Sequence, residues 1–182
     1  MNADKRRWVY CLLLMFLFLV GGCQKQVKPQ GITVPVQRVL SGQSLEVSGS
    51  LEVSNRIRLI GVDAPDFRQE PWGEQAKQRL QELINNQQVL LESDVESKYC
   101  FENRCTLLAY VWVNNKLLNE ELAKEGLVLA SPRDPNTKYQ KRLESAQEYA
   151  RIMGLGIWNP ENPMRQTPAE FRKQRENNTG TM

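Results

Sequence analysis

Ile57-Arg58-Leu59-Ile60-Gly61-Val62-Asp63-Ala64-Pro65-Asp66 is the stretch on which the fold turns. Ile57, Leu59, Ile60 and Val62 are apolar and mostly β-branched, the composition of a buried strand. One arginine lies inside the run, and two carboxylates flank a proline at its exit. Arg58 reads either as a bidentate phosphate ligand or as half of a structural ion pair. Asp63 and Asp66 read either as oxygen ligands for a hard cation or as the polar residues of a turn.

Upstream, Val34–Leu40 reads as a first strand, Ser41-Gly42-Gln43-Ser44 as a turn, and Leu45-Glu46-Val47 as a returning second strand. Ser48-Gly49-Ser50 allows another turn, Leu51–Ser54 extends, and Ile57–Val62 forms the third strand. Downstream, Pro71–Asn86 predicts a helix, with Ala76, Leu80, Leu83 and Ile84 along one face. Val89–Glu92 and Leu107–Val113 predict two more strands, the second ending in an Asn114-Asn115 hairpin turn. Leu117–Glu125 and Lys138–Met153 predict helices stopped by Gly126 and Gly154. The expectation is a mixed α+β fold: a five-stranded Greek-key β-barrel of OB type with about three helices.

The chain has 182 residues, and its first 22 read as a leader. Lys5, Arg6 and Arg7 precede an apolar run of 13 residues from Trp8 to Val20, short of the roughly 20 that a membrane-spanning helix needs. Val20-Gly21-Gly22-Cys23 resembles a lipobox, which implies cleavage before Cys23 and lipidation of its thiol; an ordinary secretory signal is the alternative. The expected organisation is residues 1–22 as a lipoprotein signal peptide, 23–33 as a lipidated tether, 34–159 as the domain and 160–182 as a flexible tail broken by Pro160, Pro163 and Pro168. The expected location is the cell envelope, outside the cytoplasm, membrane-anchored through Cys23.

Composition narrows the chemistry. Lys and Arg number 24 against 21 Asp and Glu, and without Asp4, Lys5, Arg6 and Arg7 the balance is +1. Any phosphate-binding patch must therefore be local. The chain has no histidine, which excludes Ser-His-Asp and Cys-His nucleophile chemistry. Cys100 and Cys105 sit close together in sequence; in an exported chain such a pair reads as a disulfide, and two thiols alone fall short of a zinc site.

The run from Ile57 to Asp66, the following Pro71-Trp72-Gly73-Glu74-Gln75-Ala76-Lys77-Gln78-Arg79-Leu80-Gln81-Glu82-Leu83, and Leu107–Leu127 together resemble the staphylococcal-nuclease-like (thermonuclease) family. The resemblance spans about Val34 to Trp158. It implies the OB-type barrel and calcium-dependent hydrolysis of DNA and RNA phosphodiesters. By it, Arg58 stands at the first phosphate-clamping arginine, Asp63 at the strand-end calcium aspartate and Asp66 at the catalytic glutamate, one methylene shorter. The family's Asp-Gly-Asp-Thr turn is Ser41-Gly42-Gln43-Ser44 here, so Gln43 offers only a neutral carbonyl as a weak metal ligand. Thr106 stands where the second arginine is missing, and Arg104, two residues before it, is either a displaced clamp or a solvated loop residue. These departures predict a weak calcium site and little or no hydrolysis, with single-stranded nucleic acid or another ligand bound by an eroded site. The alternative is an active, surface-tethered endonuclease.

Overall fold

The computed structural model describes residues 28–49, 51, 54–102 and 104–179. The expected signal segment, Cys23 and the start of the tether lie outside these residues.

Strand β1 (Ile32–Ser41) turns through Gly42 into β2 (Ser44–Val47), which pairs antiparallel with β3 (Arg56–Leu59). The turn needs a glycine: a Cβ on Gly42 would sit 2.5 Å from the Ala76 Cβ. On its other edge β1 pairs with β5 (Gln88–Glu92), and β5 pairs with β7 (Arg104–Val113). β3 then meets β7 in parallel, Ile57 opposite Leu107, Arg58 opposite Leu108 and Leu59 opposite Ala109. That last pairing closes five strands into a barrel, the OB-type α+β architecture expected from the sequence. Leu45, Val47, Ile57, Leu59, Val89 and Val111 are fully or almost fully buried inside it.

The third strand is shorter than its apolar run suggests. It breaks at Ile60-Gly61, where Gly61 takes a φ of +74°. Ile60 N–H donates to the Ala109 carbonyl (3.0 Å), and the Ile60 carbonyl accepts from Asn119 Nδ2 (2.7 Å). The chain leaves the barrel as β4 (Val62–Asp63), pairing with β9 (Leu129–Ala130). Between β5 and β7, the sequence reading missed a strand, β6 (Lys98–Phe101); β7 ends in the Asn114-Asn115 turn to β8 (Lys116–Leu117).

Four helices stand among the described residues, one more than expected. Helix α1 (Trp72–Ile84) buries Ala76, Leu80 and Ile84. Helices α2 (Leu118–Lys124) and α3 (Gln140–Met153) pack on one another. Buried Glu92 ties α3 to the barrel: it accepts from Trp112 Nε1 (2.8 Å), the Tyr139 hydroxyl (3.0 Å) and Lys138 Nζ (2.7 Å). Trp158, in a 3-10 turn, lies close to Gly126 and beneath the Arg151 guanidinium.

The tail read as flexible contains α4 (Pro168–Thr179). Its start is a capping box. Glu170 accepts from the Thr167 N–H (2.8 Å) while the Glu170 N–H donates to Thr167 Oγ1 (3.3 Å). Pro168, taken from the sequence as a breaker, occupies the first helical position, where its missing N–H costs nothing.

Asn119, fully buried, satisfies Ile60 on one side and the Val111 N–H (3.0 Å) on the other. Asn119→Ala would strand two buried backbone groups and is expected to cost about 2–4 kcal/mol. A lowered urea midpoint at unchanged slope is the measurement that checks it.

Candidate functional site

Alternation along β3 turns Ile57 and Leu59 inward and leaves Arg56 and Arg58 on the opposite face. That face opens on a cavity of about 680 Å³, lined among others by Ser44, Arg56, Arg58, Tyr99, Thr106 and Arg133. Arg58 is partly buried. Burial lowers the pKa of its guanidinium, neighbouring Arg133 and Arg172 add to that, and Asp63 opposes it.

The Gly61 kink brings Asp63 back beside Arg58. Asp63 is 4% exposed. Its Oδ1 lies 3.7 Å from Arg58 Nη2 and has no hydrogen-bond partner among the described residues. Its Oδ2 accepts from Arg172 Nη2, in α4, at 2.7 Å. One carboxylate thus stands between two guanidiniums. Arg172 lies outside every residue singled out from the sequence, and only the Thr167-Pro168-Ala169-Glu170 capping pattern signalled the helix that carries it.

Gln43 bridges two elements. Its backbone carbonyl accepts from the Leu59 N–H (2.9 Å), and its side-chain Oε1 accepts from the Ala64 N–H (2.7 Å). The carbonyl expected to face a metal therefore holds the exit of β4. Asp66 is likewise engaged. Its N–H donates to Gln69 Oε1 (3.0 Å), its Oδ1 accepts from the Arg68 N–H (3.1 Å), and its Oδ2 lies 3.3 Å from Arg175 Nη1. Gln69 also donates to the Gln166 carbonyl (2.9 Å), so the segment after β4 is fastened to the approach to α4.

Thr106 lines the cavity, with Tyr99 opposite it in the β6–β7 pair. Arg104 is exposed and does not line the cavity. It lies three residues before Leu107, where pairing of β7 with β3 begins, or roughly 10 Å along an extended strand. The Cys100–Cys105 disulfide crosses the β6–β7 hairpin at a Cα–Cα distance of 4.0 Å and fixes the hairpin one residue from Thr106.

The donor set does not fit calcium. That ion takes six to eight oxygens and gains affinity from charged ones. Here Ser41, Gln43 and Ser44 are neutral, Asp63 already neutralises arginine, and no group of three or more His, Cys, Asp or Glu side chains gathers among the described residues. What the site offers is guanidinium chemistry: planar donors suited to phosphate oxygens.

Residues 56–160 match the model of a family described as staphylococcal nuclease homologue. The chain is 37% identical over 132 residues to a thermonuclease of Staphylococcus hyicus, covering 70% of this chain and 76% of that one. It is 36% identical over 134 residues to a thermonuclease of Staphylococcus intermedius, covering 71% and 77%. An endonuclease of Bacillus subtilis is 32% identical over 134 residues, covering 70% and 62%. Helix α4 lies beyond the span of the family model.

The hairpin supplies a direct check of the covalent geometry beside the cavity. Protein purified without reductant should carry Cys100 and Cys105 in one peptide, lighter by two hydrogens than the dithiol in mass spectrometry. Free alkylation of both thiols would contradict the bridge.

Proposed function

The chain belongs to the staphylococcal nuclease homologues, and from that premise we propose that it is an envelope-tethered module that binds single-stranded nucleic acid and whose calcium-dependent hydrolysis is weak or lost. The observation that carries the reading is the state of Asp63: the acid at the family's strand-end position is bound by Arg58 and Arg172. Gln43, at the other ligand position, spends its carbonyl on Ala64. Asp66, at the water-activating position, is engaged by Arg68 and Arg175 and is a methylene short. Calcium-assisted phosphodiester hydrolysis needs a cation, a placed carboxylate and donors for developing charge together. Of these the donors are the best preserved, in Arg58.

The second reading is an active endonuclease. It is favoured by the endonuclease and thermonuclease names of the relatives and by the presence of Arg58 and Asp63 at matching positions. Calorimetric titration of the mature domain with calcium, followed by an assay on single-stranded DNA, separates the two. The expected outcome is no sub-millimolar calcium binding and little or no cleavage. Partial cleavage should need Gln43→Asp, Asp66→Glu and Thr106→Arg together, because these positions serve one transition state. Robust calcium-dependent cleavage by the wild type, lost in Arg58→Ala, would establish the second reading.

The tether belongs to the same proposal. It rests on the order of charged, apolar and small residues from Lys5 to Cys23. Wild type is expected to enter the detergent phase on partitioning of membranes and Cys23→Ala to leave it. Equal recovery of both in the aqueous phase would remove the lipid anchor.

A further inference from the structure

Two arginines share Asp63, from elements far apart in the chain. Arg58 comes from the barrel wall, and Arg172 comes from a helix 109 residues after the aspartate. The trio Arg58–Asp63–Arg172 carries a net charge of +1, where a plain Arg58–Asp63 pair would carry none. Thr106, at the position of the missing second arginine, contributes only a hydroxyl to the cavity, and Arg104 is displaced from it. The surplus positive charge at Asp63 therefore comes from α4.

Helix α4 is seated for that task by polar contacts around one short segment. Arg172 meets Asp63, Arg175 meets Asp66, and Gln69 holds the Gln166 carbonyl. The capping box fixes where the helix begins, and so which turn carries Arg172. The Arg172 side chain is 35% exposed, and its guanidinium has donors beyond the one given to Asp63.

We propose that Arg172 is the built-in cation of this site: it takes the electrostatic place beside Asp63 that a divalent metal would hold and, with Arg58, forms a two-guanidinium clamp that binds a phosphodiester of single-stranded nucleic acid without metal. This rests on the nucleic-acid-binding reading above and assigns the residue that makes such binding independent of calcium. Removal of either arginine leaves the other neutralised by Asp63, so each is needed for the surplus charge. Arg58 and Arg133 line the cavity itself, while Asp63 and Arg172 stand behind Arg58, and both Arg133 and Arg172 act on the Arg58 guanidinium through space.

The test is fluorescence anisotropy of a labelled oligothymidylate with the full mature chain, in EDTA and in calcium, across a salt series. Wild type should bind equally in both. Arg172→Gln should weaken binding by about tenfold or more. It should also flatten the slope of log K against log salt by about 0.7, the share of one phosphate contact on a single strand. Arg172→Lys, which keeps the charge, should restore the slope and part of the affinity, a recovery that loss of helix docking alone would not give. Arg58→Gln should match Arg172→Gln. Unchanged or tighter binding by Arg172→Gln, with Arg58→Gln impaired, would overturn this inference alone and make α4 a plug over the site. A requirement for calcium, or no rescue by a folded Arg172→Lys, would overturn it as well. No binding by wild type in either condition would overturn the nucleic-acid reading and this inference with it.

Discussion

The parallel pairing of β3 with β7 is the constraint on which the rest of the molecule depends. The other barrel pairings join neighbours around a curled sheet, in the order β3-β2-β1-β5-β7; this one joins its two ends. A sheet that stopped short of it would leave Ile57 and Leu59 at an open edge rather than in a sealed core. Closure also makes the two ladders share a register: Arg58 lies opposite Leu108 because Leu59 lies opposite Ala109. The Arg58 side chain then has one place to go, the cleft face it shares with Ser44 and Thr106.

Closure dictates the kink as well. Once Ile60 has donated to Ala109, β3 can run no further along β7 without leaving the barrel, and Asn119 takes the carbonyl that the break would orphan. Gly61 makes the reversal because a side chain there would be strained at positive φ and would strike Leu143. Asp63 returns to Arg58 as a result. A buried carboxylate beside one half-buried guanidinium is an incomplete arrangement, since its two oxygens can take more than one such partner. Arg172 fills the second position. The site is thus a consequence of barrel closure on one side and of a docked C-terminal helix on the other.

Most of the barrel was legible in the sequence because its strands are apolar runs punctuated by Gly and Asn, and α1 and α3 show their faces at helical spacing. The break at Gly61 was not, because Ile60 and Val62 continue the apolar run on both sides and the hydrogen bonds that end the strand come from Ala109 and Asn119. Strand β6 was missed because Lys98–Phe101 is exposed throughout and lacks any burial pattern. Resemblance assigns positions to Arg58, Asp63, Gln43, Asp66 and Thr106, but it names none of their partners. Ala64 N–H on Gln43 and Arg175 on Asp66 are contacts that spacing does not express. Helix α4 was misread because three prolines and a polar composition outweighed the Thr167-Pro168-Ala169-Glu170 start signal. With the helix went Arg172, and with Arg172 the charge balance of the site.

In the function proposed here, that balance connects binding to weak catalysis. A guanidinium and a divalent ion can both offset Asp63 and attract a phosphate, but they differ in what else they do. The ion has open coordination positions with which to polarise a phosphoryl oxygen and to acidify water. A guanidinium is always protonated and offers only hydrogen bonds. A site that exchanges the first for the second keeps recognition of the anion and loses the means to activate the nucleophile. It also ceases to depend on ion concentration, because a side chain on a docked helix is present whenever the helix is seated, at an effective concentration set by the chain itself. On this view the neutral residues at Ser41 and Gln43 and the arginine at 172 are one change in two parts: fewer negative ligands leave no home for a divalent ion, and a tethered positive charge removes the need for one.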